Sequence, residues 1–190
     1  MVPPNDLVLC LDRRHEGDLV MPWRLRSEAP SNDGAHRFPL LEAPELPVIF
    51  FSFLLHFVWE FLQAPTYVGM MEMKHWDGIK LCLSATVGDA GFALVAFWIA
   101  SMSVRDRNWI GARGGLPTAI FLAVGIALTV GFEYYYTNVS LRWSYSELMP
   151  IVPPFGTGLS PLLQWAVVPP AVIWLTRRHL SGARILRVER

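Results

Sequence analysis

His56, Glu60, Asp89 and Glu133 stand inside three runs that are otherwise apolar. Each run is close to 20 residues, which at ~1.5 Å per residue matches the ~30 Å hydrocarbon thickness of a bilayer. An ionisable side chain at that depth is costly unless it is paired or faces water inside a bundle. The backbone adds a second restriction, because apolar surroundings require every amide to be bonded within its own helix. The pattern therefore predicts an all-α, polytopic membrane protein whose helices enclose a polar site.

Four spans are expected, at about residues 46–66, 81–102, 117–137 and 158–176. Hydrophobic residues make up 53% of the chain and mean hydropathy is +0.34. They fall in long runs rather than the periodic stripes of a soluble domain. Pro161 suits a first helical turn, while Pro169 and Pro170 predict a kink in the fourth span. Small residues (Ala85, Gly88, Ala90, Gly91 and Ala93, then Gly125 and Gly131) allow close helix approach. The expected organisation is a polar, flexible tail over 1–45, a four-helix domain over 46–180 and a basic tail over 181–190.

Basic residues predict the orientation. Thirteen of the sixteen Lys and Arg fall in the N-terminal tail, the second connection and the C-terminal tail. Only Lys74, Lys80 and Arg142 fall in the other two connections, so both termini are expected in the cytoplasm. Zero formal charge gives no sign of a nucleic-acid partner. Cys10 and Cys82 make no metal spacing, and the start lacks the apolar core of a secretory signal. Trp76, Trp143 and Tyr145, in the two outer connections, suit either an interfacial belt or a lid. Glu147 is expected to pair with Arg142.

Depth then brings the polar residues together. Glu60 and Gln164 lie ~9 Å inside the outer ends of their spans, Asp89 roughly 12 Å and Glu133 ~6 Å. All four spans thus carry a polar group in the outer half of the bilayer, which points to one shared site. His56 and Glu60 are four residues apart and share a helix face, a spacing suited to a hydrogen-bonded imidazole–carboxyl pair that handles a proton. A carboxyl kept neutral by apolar surroundings is a proton donor, and Asp89 and Glu133 could share a proton if they face each other. The bland alternative is that His56, Glu60, Asp89 and Glu133 only tie helices together. The same four are acceptable metal ligands, with His75 and Asp77 nearby, but one intramembrane histidine and no HExxH motif leave no metal or other cofactor expected.

The arrangement resembles the EXPERA, emopamil-binding-protein-like group of four-helix membrane domains. HFVWEFLQ resembles that group's His-x-x-x-Glu segment, Asp89 in TVGDAGFALVAFW sits where the group carries an acidic residue, and VGFEYYYTN resembles its acidic third segment. Gln164 and Trp165 fall where the isomerase of the group has an Asn and a Trp. The resemblance spans roughly 46–180. It implies a cavity for a sterol or other flat lipid and an isomerase that moves a double bond by protonation and deprotonation. In that reading His56 and Glu60 handle the proton, Asp89 is a second acid/base and Glu133 supports them. Trp59, Trp98, Tyr134, Tyr135 and Trp165 would stabilise a cationic intermediate.

Carotenoid cyclases share such carbocation chemistry, so a polyene substrate is equally consistent. The partner expected is a membrane lipid or isoprenoid, with a homodimer allowed. Localisation is expected in a membrane, the inner one in a bacterium. The alternatives are a proton-coupled transporter or binder of a small amphiphile, and a structural subunit.

Overall fold

The computed structural model describes residues 43–112 and 114–188, with side chains as far as residue 183. The expected tail, with Cys10 and its basic residues, therefore falls almost wholly outside the described residues. Four helices dominate: α1 (Glu45–Gln63), α2 (His75–Val104), α3 (Gly115–Tyr134) and α4 (Leu159–Val188). Glu45–Thr66, His75–Val104, Gly115–Val139 and Leu159–Ala183 are each long and apolar enough to cross a membrane.

The burial pattern of α1 is inverted relative to a soluble helix. Its buried stripe includes Ser52, His56, Glu60 and Gln63, while Phe50, Leu54, Val58 and Leu62 are exposed on the opposite faces. Spacings of three and four keep the buried residues in one row. Water would penalise such an arrangement, with polar groups inside and large apolar ones outside; lipid favours it. On α2 the buried row is Cys82, Thr86, Ala90, Ala93, Ala96, Phe97 and Ala100. Small side chains there let α1 and α3 pack on either side.

Neighbours in sequence are neighbours in space, and α4 closes the ring against α1. The α1–α2 and α3–α4 connections share one end of the bundle, hereafter the upper end. The lower half is a dry core containing Val48, Phe97, Trp109, Ile110, Phe121, Val172 and Ile173. Trp109 stacks on Phe97 at 5.8 Å and meets Phe121 at 5.9 Å. Its indole N–H donates to Ser101 Oγ at 3.1 Å. Arg177 on α4 donates to Ile110 O at 2.7 Å, and Arg107 forms a two-point bridge to Glu45 at 2.6 and 2.9 Å. These bonds tie down the lower connection.

One boundary departs from the sequence expectation. α2 begins at His75 rather than near Leu81, so His75, Trp76 and Asp77 occupy its first turn. Asp77 suits the positive end of the helix dipole there and pairs with Lys80 at 2.8 Å. Pro169 and Pro170 lie inside α4, which runs through them.

At the upper end the chain leaves α3 through a wide π turn, Tyr135–Val139. A short antiparallel hairpin, β1 (Ile151–Val152) and β2 (Thr157–Gly158), precedes α4. The two upper connections are stitched together. Tyr67 and Tyr145 pair as an antiparallel bridge, Val68 N donates to Ser144 O at 3.0 Å and Ser146 N to Thr66 O at 2.9 Å.

Gly125 marks the closest approach of α3 and α4. A Cβ placed there would lie 1.9 Å from the Trp165 ring. Gly125→Ala should therefore destabilise the protein by about 1–3 kcal/mol through overpacking. Gly88→Ala, with nothing within 4 Å of its Cβ, should be near neutral. Thermal unfolding of both variants in detergent checks the contrast.

Candidate functional site

Gln164, in the second turn of α4, is the meeting point of the polar groups. Its side-chain nitrogen lies 2.7 Å from His56 Nδ1, 2.9 Å from Asp89 Oδ2 and 3.2 Å from Glu60 Oε1. His56 Nδ1 and Asp89 Oδ2 are themselves 3.5 Å apart. Two helices, α1 and α2, thus deliver polar side chains to one amide on a third. An amide nitrogen has two protons for these three neighbours, so the contacts compete.

A second chain of bonds sets the orientation of that amide. The Trp59 indole can only donate, and it donates to Ser160 Oγ at 3.3 Å. Ser160 Oγ then donates to Gln63 Oε1 at 2.9 Å. That turns the Gln63 nitrogen toward Glu60 Oε1, at 2.7 Å, and toward Gln164 Oε1, at 3.5 Å. With its oxygen facing Gln63, Gln164 presents N–H groups to the His56–Glu60–Asp89 set. Gln63 and Ser160 were not anticipated from sequence; the signal available was that Gln63 continues the His56–Glu60 row by three residues.

Glu133 sits apart from this set. It accepts from Tyr67 at 3.3 Å, from the Trp143 indole at 3.4 Å and from the Tyr145 hydroxyl. One carboxylate on α3 therefore pins both upper connections. Burial, reinforced by the Glu133 charge, pushes the Tyr67 and Tyr145 phenols above their ordinary pKa, so both stay neutral donors. Arg142 does not pair with Glu147 as expected. Its guanidinium instead lies over the rings of Tyr136 and Trp143, at 5.4 and 5.9 Å.

Between the two groups lies a cavity of about 580 Å³. Glu60, Asp89, Glu133 and Gln164 line it together with Thr129, Phe92, Phe132 and Tyr136. His56 is fully buried behind Asp89, its Nε2 lacks a partner among the described residues, and its ring packs 5.4 Å from that of Trp165. The aromatic expectations divide. Trp59 belongs to the orienting chain, and Trp165 is buried against His56. Trp98 is half exposed, because nine residues from Asp89 are about two and a half turns and place it on the opposite face. Tyr134 and Tyr135 are likewise half exposed, turned from the cavity by the helical rotation that turns Glu133 toward it. Among the described residues, no three His, Cys, Asp or Glu side chains converge as a metal-holding group.

No family model, no curated protein and no solved structure matches the chain.

Two outcomes follow from this geometry. Gln164→Leu leaves buried acceptors without donors and should cost about 1–3 kcal/mol of stability, read as a lowered unfolding temperature. The raised phenols mean that the folded state holds their protons more tightly than the unfolded one. Stability should therefore fall as pH rises past the ordinary tyrosine value of 10.0. Tyr145→Phe should flatten that alkaline limb in a pH-resolved unfolding series.

Proposed function

We propose that the chain is a multi-pass membrane protein with both termini in the cytoplasm and an intramembrane acid/base site that isomerises or cyclises a lipid or isoprenoid by protonating a carbon–carbon double bond. If the host is bacterial, the membrane is the inner one. The observation that carries this reading is the meeting of His56, Glu60 and Asp89 on Gln164 at the wall of a cavity. The concentration of Lys and Arg at the lower end and in the tails supports the orientation. The EXPERA-like segments are consistent with the same chemistry.

In this mechanism Asp89 and Glu60 touch the substrate, because both line the cavity. His56 lies behind them and positions or replenishes the proton. A protonated carboxyl gives its proton to one alkene carbon, leaving the positive charge on the other. A carboxylate then removes a proton from a neighbouring carbon, so the double bond moves and the formula is unchanged. The Phe92, Phe132 and Tyr136 faces along the cavity stabilise the positive charge. Gln164 holds the two carboxyls in register. Glu133, occupied by three donors, closes the upper end instead of exchanging protons.

A second reading is a binder or proton-coupled carrier of a cationic amphiphile. The three carboxyls that line one cavity favour it, since a positive head group would complement them.

Native mass spectrometry with lipid extraction should find a bound isoprenoid or related lipid on the purified protein. With that molecule as substrate, Glu60→Gln and Asp89→Asn should each lower turnover by about 100-fold or more, the size of a lost general acid or base, while binding survives. Loss of binding in parallel with turnover would favour the cationic-ligand reading. A protein that always emerges empty and is stabilised by no such lipid would sink the acid/base reading and favour the carrier or a structural role.

A further inference from the structure

Three routes lead toward Asp89, and packing closes the one from below, where the bundle is filled by Phe97, Trp109, Phe121 and Trp165, all essentially without exposure. Above the site, the upper connections pair through their backbones and converge on Glu133, while Val68, Leu141 and Arg142 of those connections line the cavity and are exposed.

The third route runs sideways between α2 and α3. Ser84 and Gly88 line the cavity and are also exposed on the outside of the bundle. They lie four residues apart on α2, so together they form a jamb with almost no side chain. Nothing stands within 4 Å of a Cβ built at Gly88. Phe92 and Phe132, with ring centroids 4.6 Å apart, close the seam immediately below. Asp89 is within reach of this opening, its side chain 15% accessible. On the α3 side, Thr129 also lines the cavity. It is 6% exposed, and its hydroxyl has no partner among the described residues. A buried hydroxyl without a partner is costly in apolar surroundings.

We infer that the cavity is filled laterally from the bilayer, through the seam between the upper halves of α2 and α3, by an elongated membrane-dissolved molecule with one small hydrogen-bonding end. This inference rests on the membrane and acid/base reading of the same site. The apolar body stays between the helices above the Phe92–Phe132 floor. The polar end lies against the Asp89 carboxyl at the cavity wall.

Carbodiimides test the route without knowledge of the substrate. The carboxylic acid passes its proton to a carbodiimide nitrogen while its oxygen bonds the central carbon, leaving a mass-detectable adduct. The full chain in lipid vesicles is treated with bilayer-soluble dicyclohexylcarbodiimide or with a water-soluble carbodiimide, and adducts are mapped by peptide mass spectrometry. The bilayer-soluble reagent should modify Asp89 or Glu60, and the water-soluble one should not. Gly88→Trp should slow modification by about ten-fold or more, equivalent to ~1.4 kcal/mol of added barrier. Leu148→Trp, on the exposed upper connection, should leave it unchanged. If Gly88→Trp lowers the unfolding temperature, Ser84→Leu supplies the obstruction instead. Equal modification by the water-soluble reagent, no effect of an obstruction in a folded variant, or no modification by either reagent overturns the lateral route. A chain labelled as expected but inert toward every bound lipid would instead sink the acid/base reading and leave the route standing.

Discussion

The Gln164 amide lies among three helices and is 2% exposed, so its hydrogen bonds must be made inside the protein. It makes them with His56 and Glu60 of α1 and with Asp89 of α2. In apolar surroundings no water competes for these groups, and a missing partner leaves a costly unsatisfied atom. The upper half of the bundle therefore depends on satisfying this one set. The requirement brings α1, α2 and α4 together at a single level. It also explains why His56, Glu60 and Gln63 of α1 turn inward.

Close packing elsewhere makes that meeting possible. The absent side chain at Gly125 lets the Trp165 ring sit against α3, and Trp165 is next to Gln164 in the chain. Its ring also packs against His56, so a steric accommodation on α3 helps hold the imidazole. Below, Trp109 and Phe121 fill the space between helix ends without contributing to the site. The two halves follow different rules: the lower half packs by shape and the upper half by hydrogen-bond complementarity. A cavity persists in the upper half because the polar set does not fill the gap between α2 and α3.

The roles of the acidic residues diverge for the same reason. Glu60 and Asp89 share a limited supply of donors at Gln164. Glu133 receives three donors from Tyr67, Trp143 and Tyr145, and its part is to hold the upper connections together. Similar levels along the helices did not imply similar partners. What separates them is the partner set, and Glu133's partners come from connections whose paths were not evident beforehand.

The sequence alone determined that four apolar helices were present and how far along its helix each polar residue lay. Both follow from composition and from the fixed rise of a helix. The positions of His56, Glu60, Asp89 and Gln164 were legible in this way because distance along a helix accumulates linearly. Rotation about the axis and contact across the bundle were not legible. Each run is apolar around most of its circumference, so periodicity gave little indication of which face turned inward. Only the packed structure decided that Asp89 faces Gln164 while Trp98 faces away, that Tyr134 turns outward beside an inward Glu133, and that Gln63 and Ser160 orient the amide. Those outcomes depend on where small residues permit contact and where buried donors find acceptors, which are properties of pairs of helices.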